Sequence, residues 1–467
     1  MSEEIGYWWP AGYEKQKVAG KLVQEDIGAT LHLAFEDPDQ HKDAFFSISK
    51  GIYGLTSSNK QITLLDCFET KSTGNASGTI AKEFHANTVL NGAYVPVEGA
   101  LYRSATLCWS SLKVLFGKTG FKIERDDGDF ENMCLKYKPP DKIKFDLDGE
   151  LSIVISYSID KYIYPGLQTE NIDISELTFV EIIPTAPHDM EYFLSIIPEL
   201  RDFFSLCNGE YCPPASLSLV ADFDPHKHEN GEVVHRQISL PIDYIYKPVS
   251  EKLLHPMEIL IPYEENPEVF SVALATWHKY ARKLAPVRSL YFSAHYTDRS
   301  HHEANFLALA QAIEVFHRRF RSGTILPKKD FKEGLQKQFL DVLAEYPENE
   351  EVLTFKQRIG HLNEYSLRNR INQLFVEHDA VITAYVGNWS ELAKRIADAR
   401  NYYTHYTEGK RREPPSFRDL IEFISVLSLL ISLSLLKQSG VPEETLHSHA
   451  LKCQKYKWMF AGFRKIG

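Results

Sequence analysis

Asn305 to Phe320 reads NFLALAQAIEVFHRRF, and within it Phe306, Leu309, Ala310, Ile313, Phe316 and Phe320 recur at three- and four-residue steps. That period puts them on one face of an α-helix. Leu367, Ile371, Leu374, Phe375 and His378 repeat the pattern downstream. Ser416 follows Pro414-Pro415 and precedes Asp419 by three residues, which suits the N-cap of an apolar helix running to Lys437 and stopping at Gly440. Pro442-Glu443-Glu444 then opens a last helix. After Pro262 the spacing predicts seven or eight helices joined by short loops, which is a bundle.

Upstream of Pro262 the period changes to two. Ala29, Leu31, Leu33 and Phe35 share one strand face, and Leu217, Leu219, Ala221 and Phe223 share another. Ile143, Phe145 and Leu147 fall on the same face as Leu151, Ile153 and Ile155 only if the loop at Asp148-Gly149 is three residues long, which predicts a bulged hairpin. Turn clusters such as DDGD, KPPD and HENGE suit an antiparallel sandwich or barrel-like fold. The expected class is α+β in two domains, a β-rich antiparallel one over residues 1–262 and an all-α one over residues 263–467.

The charge divides along the same line. Residues 266–467 hold 29 Lys and Arg against 22 Asp and Glu, a net +7, whereas residues 1–265 hold 23 against 41, a net −18. A basic module attached to an acidic one keeps nucleic acid in play despite a net charge of −11 for the whole chain. Six cysteines stand at unrelated spacings, and the opening MSEEIGYWWP lacks a basic region followed by an apolar one. Both features predict a reduced, cytoplasmic protein. The apolar stretch Phe423 to Leu436 carries four serines and is shorter than the roughly 20 residues of a bilayer span, so it reads as a core helix and no membrane partner is expected.

Few segments carry chemistry. Gly117-Lys118-Thr119 ends like a phosphate-binding loop, but Leu112 stands where that loop needs its first glycine. Cys207 and Cys212 offer zinc ligands if His226 and His228 join them across strands; the plainer reading is two buried thiols. His317 lies centrally on an apolar face and reads as a core histidine. Neither an HExxH zinc helix nor a GxSxG nucleophile elbow is present.

Arg400-Asn401-Tyr402-Tyr403-Thr404-His405 differs in kind. Cleaving RNA without metal requires one group to take the 2′-hydroxyl proton, one to protonate the leaving 5′-oxygen, and a fixed cation on the phosphorane-like transition state. Histidine and arginine suit those tasks, and an asparagine can orient either of them or the phosphate. Tyr402, Tyr403 and Tyr406 can stack bases, although tyrosines near a helix end are commonly packing residues. Arg288 and His295 fit a looser version of the same pattern, but Ser289 stands in place of the amide.

The chain resembles the ApeA-like HEPN family over nearly its whole length. GYWWPAGYEKQKVAGKL from Gly6 is similar to the start of that family's N-terminal domain, LAPVRSLYFSAHY and NFLALAQAIEVFHRRF to the entry of its helical domain, and ARNYYTHY to its Arg, polar, His signature. The resemblance implies a four-helix-bundle nuclease of prokaryotic antiphage defence, with Arg400, Asn401 and His405 catalytic and Glu314 at the acidic position on the earlier helix. Glu314 is expected to hold Arg400 through a buried ion pair, with Tyr403 supporting the site. Transfer RNA is the substrate class the family implies, and a homodimer through the helical domain its assembly. Lys410-Arg411-Arg412 are expected to grip the RNA backbone, the acidic front domain to sense a phage-derived or cellular trigger, and no cofactor or metal to be needed. The rivals are a non-catalytic HEPN scaffold that binds RNA or protein, and a zinc-dependent enzyme centred on Cys207 and Cys212.

Overall fold

The structure is a computed structural model describing residues 3–25, 28–35, 51–74, 80–109, 111–125, 133–160, 174–228, 231–241, 254–296, 301–405 and 414–463. It divides into a β-rich unit, Met1–Pro256 with Pro262–Glu265, and a helical unit, Met257–Ile261 with Asn266–Gly467.

In the β-rich unit the strands Ile80–Asn91, Ala29–Phe35, Val18–Gln24, Glu3–Pro10, Ile52–Thr56 and Gln61–Gly74 pair antiparallel in that order, and the last pairs back to the first. The result is a closed six-stranded barrel, which leaves no edge unpaired around the ring. Alternation predicts its interior: Ala29, Leu31, Leu33 and Phe35 are buried together with Trp8, Leu22, Leu64 and Phe84. A Cβ on Gly54 would collide with the Trp8 ring, so the largest side chain of this core is accommodated by the smallest residue.

At Asn91 the barrel joins the strand Gln237–Leu240, from which an open antiparallel sheet continues through Ser216–Ala221, Tyr102–Cys108, Glu176–Pro184, Leu151–Ile159 and Ile143–Asp146. The outermost hairpin has the expected three-residue loop. Phe145 pairs with Ile153, Leu147 N–H donates to Leu151 O at 3.0 Å, and Gly149 takes φ 83° between them. The helix Met190–Asn208 buries Phe193, Leu200, Phe203 and Phe204, and Phe204 meets Trp109 edge-on at 5.4 Å. Gly117 ends the short helix Leu112–Phe116 at φ 65°, so the GKT segment follows a helix, the reverse of a phosphate-binding loop. The DDGD cluster and Glu229-Asn230 of HENGE lie outside the described residues.

The helical unit contains twelve α-helices among the described residues: Pro267–Lys279, Ala281–Tyr296, His302–Phe320, Lys328–Glu333, Leu335–Ala344, Glu350–Ile359, Leu367–Glu377, Asp379–Val386, Leu392–His405, Phe417–Gln438, Glu443–Lys452 and Gln454–Ala461. The count exceeds seven or eight in part because breaks at Tyr280, His378 and Cys453 fall where neither glycine nor proline marks them, and in part because Gly334 divides a further pair of short helices. Ser416 forms the anticipated cap as a full capping box with Asp419. Among the described residues Phe417–Gln438 is the one helix long and apolar enough to cross a membrane, and 83% of its most apolar stretch is buried inside the fold. Its serines bond backbone or neighbouring helices; Ser432 meets the Tyr291 hydroxyl at 2.7 Å and Ser428 the His295 ring at 2.9 Å.

His378 is buried at a helix junction, with Nδ1 3.1 Å from His447 Nε2 and Nε2 3.4 Å from Ser434 Oγ. Burial, reinforced by His447 and Lys437 against the opposing field of Glu377, pushes its pKa down from 6.5 to about 4. Between those values the unfolded chain binds a proton that the folded chain does not, so this group's stabilisation is full above 6.5 and is lost as pH falls toward 4. Acidification from pH 7 should lower the melting temperature of the helical unit by an amount worth a few kcal/mol. In His378→Gln the slope should flatten; an unchanged slope in calorimetry at matched ionic strength would remove His378 as its source.

Candidate active site

Two helices set the geometry, an acidic one at His302–Phe320 and a motif helix at Leu392–His405. The motif helix buries Leu392, Ala393, Ile396 and Ala399, a stripe that Tyr403 continues at helical spacing. The Tyr403 ring meets Phe306 edge-on at 6.0 Å, and Phe306 in turn lies 6.1 Å from Phe423. Position 400 is rotated about 100° from Ala399 and so falls at the border of the buried stripe. There Arg400 Nη2 donates to Glu314 Oε2 at 2.9 Å, while Nη1 donates to Asn401 Oδ1 at 3.4 Å. The two charged side chains are 32% and 19% exposed. A pair so placed contributes about 1 kcal/mol or less to stability, and its consequence is orientation.

The field of Glu314 also reaches a second arginine, Arg370, which no motif singles out. Arg370 is fully buried, its Nε donating to Tyr365 O at 2.9 Å and its Nη1 to His317 Nδ1 at 3.1 Å. Accepting there obliges His317 to carry its proton on Nε2, which donates to Gln373 Oε1 at 2.6 Å. His317 is therefore the satisfied core histidine expected, and burial holds its pKa below the usual value. Burial and the nearby Arg318 lower the pKa of Arg370, while the carboxylates of Glu314 and Glu364 oppose them. Glu314 thus holds Arg400 by a hydrogen bond and acts on the buried Arg370 only through its field, together with Glu364.

The remaining candidates are placed less favourably for a site within one chain. Asn401 is half-buried beside Arg400, and His405 is exposed at the last described position of the motif helix. That helix is unbroken from Leu392 to His405, so side chains five apart diverge by roughly 140° and do not converge on one phosphate. Tyr403 packs on the core. Tyr406, Lys410, Arg411 and Arg412 lie outside the described residues. Arg288 stacks over Trp277 at 5.6 Å, and His295 bonds Tyr291 O and Ser428, so that looser pattern serves packing.

Nor are the four residues of the zinc rival brought together. Cys207 and Cys212 are buried beside Ser205, whereas His226 and His228 are exposed on a two-stranded ribbon. Burial pushes the Cys207 thiol well up and the Cys212 thiol to about 11, which favours the neutral thiol over the thiolate a metal needs. No group of three or more His, Cys, Asp or Glu with metal-binding geometry occurs among the described residues.

The sequence matches the family model described as ApeA N-terminal domain 1 over residues 3–277 and that described as Apea-like HEPN over residues 307–445. The chain belongs to the ApeA-like HEPN family. No curated protein and no solved structure is matched. Membership makes it a HEPN protein of nuclease type associated with antiphage defence, and HEPN domains typically bind RNA and dimerise. Glu314, the motif helix and the Arg400–Glu314 pair all fall inside the HEPN segment.

Glu314→Ala should destabilise the helical unit by about 1–2 kcal/mol, a drop of several degrees in melting temperature, because Arg370 loses a compensating charge. RNA cleavage should fall without being abolished, and Glu314→Gln should retain more of both. Abolished cleavage at an unchanged melting temperature would instead give Glu314 a proton-transfer role.

Proposed function

We propose that this HEPN protein is a metal-independent endoribonuclease of abortive antiphage defence that cleaves RNA, with transfer RNA as the substrate class. The observation that carries the reading is a partly exposed Arg400 held on Glu314 in the HEPN segment, beside Asn401 and one and a half turns before an exposed His405. In the proposed reaction the 2′-oxygen attacks phosphorus as one histidine takes its proton. The 5′-oxygen departs with a proton from a second histidine, leaving a 2′,3′-cyclic phosphate and a 5′-hydroxyl. Arg400 neutralises the charge gathering on the equatorial oxygens, and Asn401 orients the phosphate.

In this reading the second histidine comes from a second chain. With the motif helix unbroken, a two-fold axis that sets two such helices face to face supplies two arginines and two histidines to one cleft. The site is thus read as composite and the working unit as a homodimer through the HEPN domain. The acidic front domain, residues 1–262 in this reading, repels nucleic acid and is assigned to sensing a trigger and restraining the nuclease of residues 263–467. Lys410, Arg411 and Arg412 remain proposed contacts for the RNA backbone.

Arg400→Ala and His405→Ala should each reduce cleavage in EDTA by at least about a hundredfold, and abolish growth arrest on overexpression, with the helical signal intact. The non-catalytic scaffold predicts RNA binding with no cleavage in the parent chain. Specific activity should also fall as the protein is diluted through dimer dissociation; full activity in a demonstrated monomer would refute the composite site.

A further inference from the structure

Residues 328–362 form an excursion closed by a narrow clasp. Ile325 N–H donates to Asn363 O and Leu326 N–H to Asn363 Oδ1, both at 2.8 Å, and the Asn363 amide donates back to Leu326 O at 2.9 Å. Beyond the clasp, helices Leu335–Ala344 and Glu350–Ile359 make a hairpin whose sides line a shared apolar groove of ≈ 230 Å³. Phe339, Val342 and Leu343 line it from the first helix, and Phe355 and Ile359 from the second. Of these 35 residues only Phe331, Val352 and Ile359 are buried. The helix Leu335–Ala344 buries none, although Leu335, Phe339 and Val342 share one face at helical spacing. A short helix draws most of its stability from burying such a face, and here no described residue of the chain buries it.

The size and charge of the face select its occupant. Leu335, Phe339, Val342, Tyr346, Phe355 and Leu362 are 45–60% exposed. At about 150–200 Å² for a large apolar side chain, they leave on the order of 500–600 Å² uncovered. As the roughly 65% apolar share of a homodimer interface, that area corresponds to about 800 Å² per partner, the standard size. The hairpin is also polarised end to end. Its tip carries Glu345, Glu348, Glu350 and Glu351, of which Glu348 pairs with Lys356 at 3.3 Å, while its base gathers Lys328, Lys329, Lys332, Lys337 and Arg358 against Asp330 and Glu333. A surface apolar along its length and opposite in sign at its ends complements its own reversed copy.

We infer that this face docks on the same face of a second copy of the chain, antiparallel about a two-fold axis, with the acidic tip of each hairpin on the basic base of the other. None of the residues involved belongs to the motif helix, so the inference does not rest on the nuclease reading.

The test is the mass of the full chain by sedimentation across nanomolar to micromolar concentration, with far-UV circular dichroism in parallel. The parent chain should associate, and Val342→Glu with Phe355→Glu, both at exposed sites, should halve the mass at unchanged helicity. Reversing the tip (Glu345→Lys, Glu351→Lys) or the base (Lys337→Glu, Arg358→Glu) should weaken association by about tenfold or more, and combining the four should restore it. A parent chain that stays monomeric, or a mass indifferent to the apolar pair, overturns docking on a second copy and leaves the face to another protein. A four-substitution chain as weak as either pair overturns the antiparallel arrangement. Arg400→Ala should leave the mass steps in place whether or not it cleaves RNA.

Discussion

The helix Phe417–Gln438 is buried from Leu420 to Leu436 except at the half-buried Ile421 and Ile424, and the arrangement of the helical unit follows from covering it. A helix apolar all round cannot lie at the surface of a protein in water. It has to be enclosed by helices that each present an apolar stripe, and Phe423 is where the acidic helix docks through Phe306. Phe306 also receives Tyr403, so three helices meet at one ring cluster. The distance from Phe306 to Glu314 is two turns of one helix and that from Tyr403 to Arg400 is three residues of another. Fixing the ring cluster thus fixes the acid and the guanidinium within reach of each other.

Patterns that depend on one element's own period were legible in the sequence. The barrel strand Ala29–Phe35, the three-residue hairpin loop at Asp148–Glu150 and the Ser416–Asp419 capping box each follow from local alternation or side-chain chemistry. Closure of the barrel was not legible, because it depends on Gln61–Gly74 pairing with Ile80–Asn91 on one edge and with Ile52–Thr56 on the other. Helix breaks such as His378 were hidden because the apolar phase continues across them. Of the site, the Glu314–Arg400 pair was expected from the resemblance, though as a buried pair where the structure has a partly solvated one. Arg370 was missed for a physical reason. An arginine beside Leu367 and Ile371 looks like an interruption of the stripe until Tyr365 O and the His317 ring are seen to accept from its Nε and Nη1, with Nη2 left unpaired among the described residues.

The two units present opposite demands to a polyanion. The residues 1–265 carry −18 and the rest +7, so any long-range attraction of RNA comes from the helical side alone. Among the described residues the barrel's interior is filled by Trp8, Phe84 and their neighbours, so in the proposed sensing role its outer faces are the place to look for recognition. Ile5, Tyr7 and Phe68 are more than half exposed on such faces, with apolar or aromatic side chains suited to a protein contact.

An arginine that is to bind a phosphate faces a conflict between being held and being available. Full exposure leaves a long side chain with many rotamers to lose on binding, whereas full burial takes its donors out of reach of a ligand. Arg370 and Arg400 occupy the two sides of that conflict around one carboxylate. Arg370 is fully buried and tied to Tyr365 and His317. Arg400, one-third exposed, has one donor on Glu314 and one, at 3.4 Å, on Asn401. A guanidinium presents five N–H donors, so these two contacts orient the fork without exhausting it. The carboxylate that fixes Arg400 also offsets part of its charge, and its field reaches Arg370 as well without being weakened at Arg400. In the proposed site the exposed guanidinium is therefore oriented by its carboxylate while it keeps N–H donors for an anion.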